Sequence, residues 1–465
     1  MLTRKHLLDV IILGAPLLVG MVSEFFMYIA DSAMVGRLGT EHLAAIGFAT
    51  LFAEVLWVIV WPFAPGTQAL AARRFGRLEA IKDPDSSSYR ELQQKTGEVL
   101  DNSLVVSFAV GAVTIFFASF SREILSNLLD NRDLILLADA YIGIIKWVMP
   151  MAAVFFSLYG LLAAIKMTRV IMVATVGLNL LNILFNYILI FGKFGMPVMG
   201  IKGAAIGTVL AQSLGAVFLL AYVIFSGKLR GYRCCRFRSL HWRLMKDIAA
   251  VSSPMIAQLG ISLSIFLYYE SIIAGIGTVY LAVTHIVITA FVLNRSLVEG
   301  FAEGGSILIG NHLGRGDRKE ALQYAYATEC IALCLGTVLL ILVLMFPEII
   351  VTVFNTEPET VAVGVRALRF SAGFLFISTI GFPLEVIFTH NGWGRYALAA
   401  EFFPIVIFTL GLTLLVIKYF QMGIYAAWLS LGLYMITYTA LLIGGFFSKR
   451  WLEVSAESDR IRTET

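Results

Sequence analysis

The chain is 465 residues long, 59% hydrophobic and 14% charged, with a mean hydropathy of +0.84 and a formal net charge of +4. Apolar runs longer than the ~18 residues of a membrane span recur along it, which excludes a soluble globular protein and points to an integral membrane protein in the bilayer. The positive charge sits in loops and follows membrane orientation, so no nucleic-acid partner is expected.

Twelve spans are expected in chain order, at 8–32, 45–71, 98–120, 134–163, 170–191, 203–226, 247–272, 282–310, 321–345, 364–389, 396–417 and 422–447. The apolar run after Arg4, Lys5 and His6 is too long for a cleavable signal peptide and leads straight into the first span. Loop charge alternates sharply. Arg73, Arg74, Arg77, Lys166, Arg169, Arg315, Arg318 and Lys319 fall in one set of loops, as do Lys228 to Lys246, whereas Ser121–Asp133 and Phe346–Val363 are poor in Lys and Arg. This bias places both termini in the cytoplasm of a cell whose inner membrane the chain crosses many times. The expected organisation is an N-lobe at 1–226, a basic cytoplasmic linker at 227–246, a C-lobe at 247–448 and a cytoplasmic tail at 449–465. Segment Lys82–Lys95 reads as a loose polar insertion, and the tail after Trp451 as disordered. The four cysteines have no metal-ligand company and read as free thiols; no cofactor or resident metal is expected.

The stretch from Pro16 to Arg77 recurs without a gap 238 residues later. It matches Pro16 to Pro254, Gly39 to Gly277, Thr40 to Thr278, Leu43 to Leu281, Phe63 to Phe301, Gly66 to Gly304 and Gly76 to Gly314. The matches include prolines and glycines, the residues that set turns and kinks. Two six-span halves give parallel repeats about a pseudo-two-fold along the membrane normal. The fold class expected is therefore an all-α membrane protein of two six-helix bundles, the layout of a rocking secondary transporter.

Inside the spans, a charge at mid-bilayer costs at least about 2.5–3.5 kcal/mol, so ionisable residues there carry information. Acids are plentiful: Glu24, Asp31, Glu54, Glu270, Glu299, Glu303, Glu385 and Glu401. Bases at comparable depth are few, chiefly Lys146 and Arg295. An acidic, water-filled cavity would tolerate these groups and favour cations. Glu24, Tyr28 and Asp31 share one face of the first span. Asp31 reads either as a proton-exchanging carboxyl or as a solvated group near a helix end. Asn179, Asn182 and Asn186 stand in the fifth span, and the last two put two amides on one face. They read either as partners for a carboxylate or water, or as fasteners between helices. Arg295, Glu299 and Glu303 follow i, i+4 and i+8, so Arg295 and Glu299 are expected to pair and Glu303 to face the cavity. Glu54, Glu270 and Glu385 are further cavity candidates, and His285 and His390 read as interface residues near span ends. Pro16 and Pro254 occupy equivalent places where a helix can kink.

The stretch IADSAMVGRLGTEHLAAIG resembles the junction of the first two helices in the multidrug and toxic-compound extrusion (MATE) family. NLLNILFNYILIFGKFGMPVMGIKGAAIGT is similar to the fifth-to-sixth helix stretch of its NorM branch, with weaker echoes in GSILIGNHLGRGD and GIYAAW. The resemblance covers the whole chain, strongly in the first half. It implies a two-lobed exporter of small organic cations in exchange for H⁺ or Na⁺; separately, a monomer without cofactor is expected. It places the family's essential aspartate on Asp31, its kink proline on Pro16, the paired polar positions on Asn182 and Asn186, and a threonine on Thr208. The second lobe departs from pattern: ungapped counting puts no acid at the family's positions in the seventh and tenth helices, and Glu270 and Glu385 are displaced. With only the first-lobe constellation intact, H⁺ is the expected coupling ion, Na⁺ the alternative. Two rivals stand: a lipid-linked oligosaccharide flippase of the same superfamily, which would want Arg and Lys in its cavity, and a membrane enzyme or channel.

Overall fold

The computed structural model describes residues 2–128 and 131–453. With no water at mid-bilayer to satisfy backbone N–H and C=O groups, each apolar segment closes its hydrogen bonds internally. The described residues are accordingly helical, with no strand among them. In chain order the helices are α1 (Arg4–Gly36), α2 (Thr40–Val60), α3 (Phe63–Ala80), α4 (Ser87–Ala118), α5 (Ser121–Leu128), α6 (Arg132–Ile145), α7 (Met149–Ala164), α8 (Thr168–Phe191) and α9 (Ile201–Phe225). Then follow α10 (Trp242–Ala274), α11 (Thr278–Arg315), α12 (Arg318–Met345), α13 (Pro347–Phe354), α14 (Pro358–His390), α15 (Gly394–Pro404) and α16 (Ile424–Ser448). Twelve spans in the described residues are long and apolar enough to cross a membrane. The second joins α2 to α3 through Trp61 and Pro62, where proline withholds an N–H. The eleventh widens beyond Pro404 into π-helical turns over Ile405–Leu412 and Leu415–Tyr419.

Segment Lys82–Lys95 is not loose along its length. Ser86 caps a helix by accepting from Tyr89 N at 3.2 Å, and α4 is helical from Ser87 onward. The residues after 453 lie outside the described residues.

The chain forms two compact units. The amino-terminal unit is Val19–Ile256; the carboxy-terminal unit is Met1–Leu18 together with Ala257–Thr465. Both boundaries fall inside a helix, two residues past Pro16 in α1 and two past Pro254 in α10. The 227–246 linker therefore lies within the amino-terminal unit. Small residues explain the assignment of the two half-helices. A Cβ on Gly304 of α11 would fall 2.6 Å from Gly14 N, so only glycine lets the start of α1 lie there. At the positions 238 residues away the same contact recurs in the other unit, where Gly66 of α3 lies against Ser252 of α10. The sequence repeat is thus also a repeat of packing. Within the carboxy-terminal unit the start of α1 is tied further to α12: His6 Nε2 lies 2.9 Å from Glu320 Oε2, and Tyr324 donates to Asp9 at 2.7 Å.

Each unit has its own apolar core. That of the amino-terminal unit gathers Val35, Ala49, Leu56, Ile142, Met149 and Ile190. The other gathers Tyr269, Val287, Leu375, Phe388, Trp428 and Trp451. The basic linker is strapped to α4. Arg233, Cys235 and Phe237 take left-handed backbone conformations. This turns the N–H groups of Cys235, Arg236 and Phe237 onto the buried Asp101 carboxylate at 2.6, 3.2 and 2.9 Å. Alternating backbone of this kind forms an anion nest, filled here by a side chain of the same unit. Asn102 adds a bond to Ser239 O at 3.1 Å and one from His241 N at 2.7 Å. Burial, reinforced by the Asp101 charge, pushes the Cys235 thiol up to about 12 and that of Cys234 higher still.

Candidate functional site

In the amino-terminal unit the polar face of α1 meets that of α8. Asn179, Asn182 and Asn186 recur at helical spacing and are all buried. Asn186 Nδ2 donates to Asp31 Oδ1 at 2.7 Å and to Asn182 Oδ1 at 3.0 Å. About two turns earlier on both helices, Asn179 donates to Ser23 Oγ at 2.7 Å. Asn182 Nδ2 lies 3.1 Å from Thr208 Oγ1 of α9. Turned by half a rotation, the same amide donates to both Asp31 oxygens at 3.2 Å and accepts from Thr208. In the first orientation Thr208 accepts from Asn182 and donates to Ala204 O at 3.0 Å; in the second its proton goes to Asn182 instead, and in both the buried Tyr141 hydroxyl of α6 reaches it. Gly207 is required beside this cluster, because a side chain there would strike the Asn186 amide.

Asp31 itself is half-buried. A half-buried carboxylate met by amide N–H groups can hold a negative charge, accept a proton or attract a cation. Along the same face, Tyr28 donates to Glu54 Oε1 of α2 at 2.7 Å, and Glu24 is exposed one turn before Tyr28. Asp31, Asn182, Asn186 and Thr208 are therefore brought into one cluster, with Tyr28 and Glu54 forming a second pair on α1's polar face.

The carboxy-terminal unit holds a denser constellation. Glu401 of α15 accepts from Ser262 Oγ at 2.6 Å, Gln258 Nε2 at 2.6 Å and Tyr434 OH at 2.9 Å. The same Gln258 nitrogen donates to Glu385 Oε1 at 3.1 Å and lies 3.2 Å from Tyr438 OH. Arg295 of α11 pairs with Glu299 on its own helix and with Glu385 of α14, each at 3.6 Å. Glu385 thus stands within a cluster of Gln258, Glu401 and Arg295. Glu270 is elsewhere, 3.8 Å from His285 and about 18 Å along α10 from Gln258 at 1.5 Å per residue. Glu303 is buried in α11. Pro16 and Pro254 lie inside α1 and α10, beside the unit boundaries.

Several of these residues escape a reading by spacing. Tyr141, Gln258, Ser262, Tyr434 and Tyr438 are polar groups on otherwise apolar helices, and what joins them to the acids is contact between helices distant in sequence. The signal available was the cost of burying Gln258 and Glu401 in apolar segments, which demands partners.

The MatE family model matches residues 16–82, 90–188 and 254–415 of the chain. A protein of Agrobacterium fabrum named probable multidrug resistance protein NorM is 27% identical over 337 residues, covering 71% of this chain and 70% of its own. A protein of the same name from Thermotoga maritima is 24% identical over 457 residues, covering 96% and 93%. Among solved structures, the eukaryotic MATE transporter AtDTX14 superposes with a TM-score of 0.85 at 17% identity, over 98% of this chain and 99% of that one.

Proposed function

Since the chain belongs to the MatE family, whose members are transporters and not enzymes, we propose that it exports small organic cations in exchange for H⁺, with Asp31 as the exchanging carboxyl. The single observation that carries this reading is the half-buried Asp31 carboxylate held by the Asn186 amide. In its ionised form Asp31 accepts that N–H and attracts a cation. Protonation removes the charge, weakens the charge-assisted bond and releases the cation. Alternating exposure of Asp31 to the two sides of the membrane then makes the cycle an antiport. Exchange of one H⁺ for one monovalent cation moves no net charge, so the pH gradient, about 1.4 kcal/mol per unit, drives export.

The donor set favours H⁺ over Na⁺. Hard cations want several oxygen ligands, whereas Asp31 is met by amide nitrogen. Na⁺ remains the alternative coupling ion. The names of the NorM relatives, as multidrug resistance proteins, support drug-like substrates. We place the protein in the inner membrane with both termini cytoplasmic, on the Lys and Arg bias of the loops, and take the monomer as its working form. A lipid-linked oligosaccharide flippase is disfavoured because the basic residue within the carboxy-terminal cluster, Arg295, is already claimed by two acids. The test is Asp31→Asn: it should abolish efflux of a fluorescent cation while membrane expression is retained. Full efflux by that variant would remove the mechanism.

A further inference from the structure

Arg295 occupies a box that has the chemistry of a binding site. Its guanidinium lies 3.6 Å from Glu299 and 3.6 Å from Glu385, and 5.4 Å above the ring of Phe382. Two carboxylates and an aromatic face are what a planar cation needs. Both ion-pair distances are longer than the ~2.7–2.9 Å of a locked charge-assisted bond, so the occupant is held by charge without a fixed fork. The side chain of Arg295 is 30% exposed, against 5% for Glu385 and 17% for Glu299. The cation therefore has room to leave, and the anions do not. A second observation points to a missing donor. Gln258 is 2% exposed and gives its nitrogen to Glu385 and Glu401, yet no donor among the described residues reaches its Oε1. A buried carbonyl oxygen left in that state is costly.

We propose that Arg295 is the resident occupant of a site for planar organic cations bearing N–H donors, aryl amidines and guanidines, and that the exported molecule displaces it. Glu299 and Glu385 supply the counter-charge, Phe382 the stacking face, and Gln258 Oε1 the acceptor for a ligand N–H. The inference rests on the reading of the protein as an exporter of organic cations. When the site is empty, the tethered guanidinium neutralises carboxylates that would otherwise stand uncompensated in the membrane interior. It also raises the threshold for any cation that binds there, because the open form is only a fraction of the population. If Arg295 fills the box about four-fifths of the time, its removal tightens binding about fivefold.

The test is equilibrium binding to the purified full-length protein in detergent. The probes are 4′,6-diamidino-2-phenylindole, a fluorescent aryl diamidine, and tetraphenylphosphonium, which has no N–H. Arg295→Met should tighten the diamidine about fivefold and the phosphonium by clearly less. Arg295→Lys, which keeps the charge and the fold but loses the planar contact with Phe382, should give a gain of about twofold. Unchanged or weaker diamidine binding in both variants would overturn the proposal, as would equal gains for the two probes. If the parent binds and transports cationic dyes but the variants do not differ from it, this inference fails alone. If the parent neither binds nor transports any cationic dye, the export reading fails with it.

Discussion

Asp31 acts through the amides that face it. Asn186 bridges Asp31 and Asn182 with a single nitrogen, so it fixes both the carboxylate and the helix that carries it. Polar bonds between membrane helices contribute about 0.6–2 kcal/mol. Asn186→Leu, similar in size and unable to donate, should therefore lower the rate of dye efflux by about 3- to 30-fold at equal expression. Efflux at the parent rate would mean that the amide only fastens helices. The Asn182–Asn186 pair was legible from spacing, because residues one turn apart share a face. Its meeting with Asp31 was not legible from spacing, and rested on the likeness to MATE sequences. Tyr141 and Gln258 were hidden for a plainer reason: the partner of each sits on another helix, 67 or more residues away.

The helices of each unit pack through backbones that approach closely. Gly304→Ala places a methyl 2.6 Å from Gly14 N and 2.8 Å from its Cα, atoms that cannot rotate away. A loss of about 1–3 kcal/mol is expected from such overpacking, seen as a lower Tm of the purified protein. Gly444→Ala, where nothing lies within 4 Å, should leave Tm unchanged. The linker gives a second test. With the Cys235 thiol pushed up to about 12, only about one molecule in ten thousand is thiolate at pH 8, so maleimide labelling should be about a thousandfold slower than for a free thiol. In a Cys330→Ser/Cys334→Ser background, Asp101→Ala should empty the nest, free the strap and speed the labelling of Cys234 and Cys235. Equal rates before and after would show that Asp101 does not hold the linker. The basic linker is ordered by one buried carboxylate on another helix, which no local pattern announces.

For the whole molecule, hydropathy alone finds all twelve spans, because the bilayer imposes both length and helical form; the second runs on to Ala80 and the third begins at Ser87, well outside the 45–71 and 98–120 expected. The repeat also survives into structure, since Gly66 with Ser252 and Gly304 with Gly14 are the same contact made twice. What the sequence conceals is that α1 and α10 are each divided between the two units just past a proline. That division is a property of packing, and hydropathy is blind to it. Proteoliposomes loaded with a cationic dye, given a pH gradient at equal Na⁺ and separately a Na⁺ gradient at equal pH, test the exchange reading most directly. The account predicts that the pH gradient alone drives dye movement and that Asp31→Asn abolishes it. Movement driven only by Na⁺, or undiminished in Asp31→Asn, would contradict it.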